Sequence, residues 1–113
     1  MKRFISILIS FSTILFFSSQ IIFAESIDAK DMPGSAIFST NCAMCHAGGN
    51  NVVNPIKTLT ITDLKKYGMY SEDAIIKQVT LGNGGMPSFQ DRIDIEDIQD
   101  VAQYVLAQST QGW

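Results

Sequence analysis

Two cysteines three residues apart, with a histidine directly after the second, form the segment of this chain with the most specific chemistry. These residues are Cys42, Cys45 and His46, and the chain has no other cysteine or histidine. On one helical turn the two thiols share a face, so both can add to the vinyl groups at one edge of a porphyrin, and the adjacent imidazole can bind its iron. The pattern predicts one haem c per chain, bound covalently through two thioethers, with His46 as an axial ligand.

Two other uses of a CxxC pair have weaker support. A structural zinc site needs four protein ligands, and the chain offers no second cysteine pair and no second histidine. A thioredoxin-like dithiol lies at a strand-to-helix junction, and the sequence contains no convincing strand pattern. The residue inventory therefore favours haem.

The second axial position of the iron separates an electron carrier from a haem enzyme or sensor. An open position binds small molecules, whereas a filled one restricts the haem to electron transfer. Three methionines are candidates for it: Met32, Met69 and Met86. Met86 is favoured over Met69, because the preceding Gly82-Asn83-Gly84-Gly85 permits a tight loop and Pro87 limits its motion. A thioether ligand would favour the ferrous state and raise the reduction potential.

Residues 1–24 have the pattern of a cleaved signal peptide. Lys2 and Arg3 precede an apolar run, and Ala24 supplies a small residue for cleavage. A membrane anchor is disfavoured, because the apolar core is short and interrupted by serines. We therefore expect an exported protein whose mature domain, residues 25–113, does not span a membrane. A domain of this size has a small hydrophobic core, and a tethered haem would complete it.

The chain is acidic. It carries eleven acidic and eight basic residues, a formal net charge of −3. Because Lys2 and Arg3 lie in the leader, residues 25–113 carry a formal charge of −5. This charge disfavours nucleic acid as a partner and suits steering towards a positively charged docking surface.

Helical periodicity and capping residues predict an all-α domain of about four short helices around the cofactor. The first helix follows Pro33 and runs up to the cysteines, where the glycine-rich stretch after His46 ends it. The last helix is capped by Asp94 and presents a single apolar face. The second helix is expected from Thr60 to about Gly68, and the third from Ser71 to Gly82. The apolar face of the last helix consists of Ile98, Val101, Ala102 and Val105.

Beyond the cysteines, the mature domain resembles the class I c-type cytochromes, and among them the cytochrome c6 family of soluble photosynthetic electron carriers. The similarity spans nearly the whole mature domain, with mild departures after Met86, where the chain reads MPSFQDRI. The segments that carry it are NCAMCHAGGNN (41–51), PIKTL (55–59), GNGGMPSF (82–89), DIQDVAQYV (97–105) and the final Trp113.

The resemblance implies a class I cytochrome c fold and a function in electron transport rather than catalysis. Electrons would pass from cytochrome f of the cytochrome b6f complex to photosystem I in the thylakoid lumen. Two alternatives remain: a carrier that donates to a respiratory terminal oxidase, and a haem enzyme or sensor with an open axial site.

The resemblance also implies roles for individual residues. Cys42 and Cys45 would hold the haem, with His46 and Met86 as its axial ligands. Gln78 matches a haem-pocket glutamine thought to help tune the reduction potential. Arg92 matches an arginine near the exposed haem edge that is associated with docking to photosystem I. The alternative for Arg92 is an ordinary surface residue paired with a neighbour, Asp91 or Asp94.

Overall fold

The structure is a computed structural model that describes residues 25–113. The predicted signal peptide, residues 1–24, lies outside these described residues. Short 3-10 turns at Ala29–Asp31 and Ala47–Gly49 accompany five α-helices. The helices are α1 (Pro33–Asn41), α2 (Ala43–His46), α3 (Ile61–Lys66), α4 (Glu72–Leu81) and α5 (Ile95–Gln111).

The all-α prediction is confirmed, with one difference at the cysteines. Residues 25–113 contain no strand, only an isolated bridge between Asn83 and Met86. The expected first helix is broken into α1 and α2 at Cys42, whose φ of −114° departs from the helical value. The Cys42 N–H still donates to the Phe38 carbonyl, at 2.8 Å. The break therefore gives five helices where about four were expected.

Two of the three predicted caps are formed. Thr60 Oγ1 accepts a hydrogen bond from the Asp63 N–H at 3.4 Å, and Ser71 Oγ accepts one from Ala74 at 3.2 Å. The third prediction is wrong in part: Asp94 occupies the N-cap position of α5, but its side chain makes no capping hydrogen bond. Asp94 is exposed, so water solvates its carboxylate, and its negative charge still complements the helix dipole.

The predicted apolar face of α5 forms the centre of the core. The four residues expected on that face are at most 5% exposed. Phe38 of α1 and Ile75 and Val79 of α4 are also buried in this core cluster. None of the helices in residues 25–113 is long and apolar enough to cross a membrane.

Helices α1 and α5 are in close backbone contact at Gly34. A Cβ atom at this position would lie 2.5 Å from the Asp100 carbonyl carbon and 2.7 Å from Tyr104 Cβ, closer than atoms can pack. The two backbones can therefore touch only because Gly34 has no side chain. This crossing places the end of α1, with the cysteine turn that follows it, at a defined position relative to α5.

Gly34→Ala should destabilise the fold by about 2 kcal/mol, because the added methyl forces the two helices apart and this cost exceeds the gain in helix propensity. Chemical denaturation would measure the loss. Ser39→Ala on the exposed surface of the same helix is the control and should change the free energy of unfolding by no more than about 0.5 kcal/mol. Equal stability of the Gly34→Ala variant and the wild type would contradict the close crossing.

Candidate haem site

The two cysteines and the histidine share one turn at the end of the α1–α2 segment. The N–H groups of Cys45 and His46 both donate to the Cys42 carbonyl, at 3.1 and 2.9 Å. Both thiols are free and half-buried. Burial raises the pKa of the Cys42 thiol to about 11. In this environment the Cys42 thiol is favoured in its neutral form.

The imidazole of His46 is oriented by the backbone. Its Nδ1 lies 2.8 Å from the carbonyl oxygen of Asn50. Because a carbonyl can only accept, Nδ1 carries the proton, and Nε2 keeps its lone pair for a metal. This bond also makes the imidazole a stronger donor. The structure thus presents His46 in the tautomer that an axial ligand needs.

The loop after His46 is held by its own hydrogen bonds. The Val52 N–H donates to the Cys45 carbonyl at 3.1 Å, and the Leu59 N–H donates to the Gly49 carbonyl at 2.7 Å. The Asn50 side chain returns to the Ala47 carbonyl at 3.2 Å. These contacts fix the carbonyl that His46 uses.

Met86 lies in a tight turn. The N–H groups of Asn83 and Met86 each donate to the other's carbonyl, both at 3.0 Å. Gly82 opens the turn with a φ of +66°, and a Cβ there would lie 2.6 Å from the Met86 carbonyl oxygen, so a larger residue is excluded. Behind the turn, the Phe89 N–H donates to the Val79 carbonyl at 3.0 Å and ties it to α4. The backbone of half-buried Met86 is therefore fixed on both sides.

Gln78 of α4 contacts the Met86 sulfur. Its amide Nε2 lies 3.5 Å from Sδ, within the range of a hydrogen bond to sulfur. A cavity of about 300 Å³ beside this pair is lined by Gln78, Met69 and Leu81, among others. Met69 thus lies on the same side of the domain as Met86, whereas Met32 occupies the N-cap position of α1.

The loop that follows His46 meets the methionine turn directly. A Cβ at Gly85 would lie 2.6 Å from Val53 Cγ1, so the valine side chain rests against the glycine backbone. Val53 is nonetheless 58% exposed, and its neighbours Val52 and Ile56 are 65% and 70% exposed. The histidine-bearing and methionine-bearing segments are therefore in contact beneath an exposed apolar rim.

Arg92 is exposed just beyond the methionine turn. Its guanidinium lies 5.7 Å from the centre of the Phe89 ring, in a cation–π arrangement. The ion pair found within residues 25–113 joins Lys30 to Asp28, at 3.1 Å. The alternative in which Arg92 pairs with a neighbouring aspartate is therefore not formed.

Comparison with known proteins agrees with this geometry. The family described as "Cytochrome C oxidase, cbb3-type, subunit III" matches residues 29–105. Cytochrome c6 of Nostoc sp. is 52% identical over 86% of this chain and 83% of its own length. Cytochrome c6 of Gloeothece citriformis is 47% identical over the full length of both chains. The chain belongs to the cytochrome c6 family.

A solved structure of a cytochrome c6 supports the same family assignment. Cytochrome c6 from the diatom Phaeodactylum tricornutum superposes with a TM-score of 0.69 and 50% sequence identity, over 71% of this chain and 94% of that one. The fold is therefore that of a class I cytochrome. The chain is an electron-transfer protein rather than an enzyme, and its cofactor is one covalently bound haem c.

The residues of this candidate site fit that cofactor. The cysteine turn offers two free thiols and an imidazole whose Nε2 makes no hydrogen bond within the described residues, and Met86 offers a thioether beside an amide donor. Sequence reasoning did not identify two contributors to this site, the Asn50 carbonyl and the Val53 contact with Gly85. A backbone carbonyl has no residue signature, and the valine acquires its contact only through folding.

Proposed function

We propose that this chain accepts an electron from cytochrome f of the cytochrome b6f complex and delivers it to photosystem I in the thylakoid lumen. Membership of the cytochrome c6 family across the whole chain is the observation that carries this assignment. The working protein is residues 25–113, after removal of residues 1–24 as a signal peptide. Bound haem supplies reversible one-electron transfer, and the chain's own residues attach it, ligate its iron and present its edge.

Within this proposal, Cys42 and Cys45 form the thioethers, and His46 and Met86 are the axial ligands. The Asn50 carbonyl supports the assignment of His46, because it selects the tautomer of the neutral ring whose Nε2 carries the lone pair. The tight turn that fixes its backbone and the Gln78 amide 3.5 Å from its sulfur support Met86 as the second ligand, since a side chain held in place costs less entropy to position.

Met86→Ala should convert a six-coordinate, low-spin iron into a high-spin iron that accepts added ligands. Visible spectra of the mature haem protein would show the loss of the sulfur-to-iron absorption band. Met69→Ala is the matched control and should keep the band. The reverse outcome would assign the ligand to Met69, and a high-spin wild type would favour the enzyme or sensor alternative.

Gln78 is assigned a role in tuning the reduction potential. Its amide N–H faces the Met86 sulfur, so its positive end withdraws electron density from the sulfur and opposes the extra charge of ferric iron. Gln78→Leu should therefore lower the reduction potential, as measured by redox titration. Gln103→Leu, which removes an exposed amide from α5, should leave the potential unchanged. An unchanged potential in Gln78→Leu would remove this role.

Docking is assigned to the exposed rim around the methionine turn. The apolar side chains of Val52, Val53 and Ile56 and the guanidinium of Arg92 are all solvent-exposed there. A small, partly apolar surface suits a transient contact that must release after each transfer. Arg92 has no carboxylate partner within the described residues, so its charge is free for an acidic surface of photosystem I.

Arg92→Glu should slow oxidation of the reduced protein by illuminated photosystem I particles, because it reverses the charge at the docking rim. Flash absorption kinetics would measure the rate across a range of salt concentrations. Lys30→Glu is the charge-matched control in the first 3-10 turn and should react like the wild type. If steering by the overall acidity dominates instead, salt should slow the wild type strongly, and Arg92→Glu should react normally.

One observation favours a second candidate, since the matching family is described as an oxidase subunit. The same carrier would then donate to a respiratory terminal oxidase. Oxidation by photosystem I particles and by oxidase-containing membranes can be compared directly. Failure with photosystem I together with rapid oxidation by the membranes would replace the photosynthetic assignment.

A further inference from the structure

Trp113 closes an aromatic cluster at the far end of α5. Its ring centre lies 5.3 Å from that of Phe38 and 6.1 Å from that of Tyr104. Its indole Nε1 donates to the Leu59 carbonyl at 2.8 Å. The indole is therefore anchored both by ring packing and by a directed hydrogen bond across 54 residues of sequence.

The indole ring also fills the space next to Gly49. A Cβ at Gly49 would lie 2.5 Å from Trp113 Cδ1 and 2.6 Å from Cδ2, so ring and glycine backbone are in direct contact. Gly48 and Gly49 have φ values of +61° and +75°. Two successive glycines lose much conformational freedom on folding, so this backbone needs contacts that hold it.

The backbone of Leu59 connects the indole to the loop after His46. Its carbonyl accepts from Trp113 at 2.8 Å, and its N–H donates to the Gly49 carbonyl at 2.7 Å. Asn50, which directly follows Gly49, supplies the carbonyl that accepts from His46 Nδ1 at 2.8 Å. A continuous set of contacts thus runs from the indole to the imidazole.

We propose that Trp113 is a positioning residue for His46: by holding Gly49 and Leu59 it fixes the Asn50 carbonyl, which orients the imidazole and strengthens its donation. This inference rests on His46 being the axial ligand of the proposed function. A firmly held carbonyl makes the imidazole more basic and stabilises ferric iron, so loosening it should raise the reduction potential.

The test is Trp113→Phe in the mature haem protein, because phenylalanine keeps an aromatic ring beside Gly49 while it removes the indole N–H and makes the ring system smaller. Proton NMR of the ferrous form would follow solvent exchange of the His46 Nδ1 proton. We expect exchange to become about tenfold faster, as for loss of one net hydrogen bond. Redox titration should show a higher potential. Tyr104→Phe, which alters the same aromatic cluster without touching Gly49 or Leu59, should change neither quantity.

A purely structural role for Trp113 would give a different result. The backbone amide of Val101, at the centre of α5, reports global opening in the same spectra. The proposal is overturned if solvent exchange of the His46 Nδ1 proton and of the Val101 amide proton accelerates by the same factor. It is also overturned if the Nδ1 exchange rate and the reduction potential are unchanged. The ring-current shift of the His46 resonances tests ligation separately. Its absence from the wild type would overturn the ligand assignment itself, together with this inference.

Discussion

The backbone contact between α1 and α5 at Gly34 is the constraint on which the rest of the structure depends. A side chain at this position would overlap the Asp100 carbonyl group and Tyr104, so the helices can cross this closely only because residue 34 is glycine. Because α1 ends directly at Cys42, the crossing sets where the cysteine turn lies. The same crossing packs Phe38 against Tyr104, with ring centres 5.2 Å apart, and so completes the core beneath the haem site. Packing of the two helices therefore positions the cysteine turn.

The two sides of the haem site are built by different means. On the cysteine side a single turn carries both thiols and the imidazole, and a neighbouring carbonyl selects the tautomer of His46. On the other side a glycine-opened turn, closed by two backbone hydrogen bonds, holds Met86 against Gln78. Contact between Val53 and Gly85 joins the sides. As the proposed axial ligands, His46 and Met86 would move little when iron changes charge, which suits a protein that transfers electrons without rearranging.

The net charge of this domain and its exposed apolar side chains affect association with a partner in different ways. The formal charge of −5 on residues 25–113 creates a diffuse field, whereas Val52, Val53 and Ile56 form an exposed apolar rim. A diffuse field acts on the rate of encounter and weakens as salt rises, while under the proposed function contact at the rim would determine orientation. A carrier that must leave its partner after each transfer benefits from this division, because neither contribution alone gives tight binding.

The sequence by itself determined the cofactor, the helical class and most element boundaries, because these depend on neighbours along the chain. Two thiols and a histidine on one turn, caps at Thr60 and Ser71, and an apolar stripe on α5 are all local patterns. The folded structure decided what residue types alone do not specify, even between residues that lie close together in the chain. It broke the first helix at Cys42, left Asp94 without a capping bond, brought Gln78 to the Met86 sulfur and gave His46 its carbonyl partner. A hydrogen-bond acceptor on the backbone has no residue code, so only folding could reveal it.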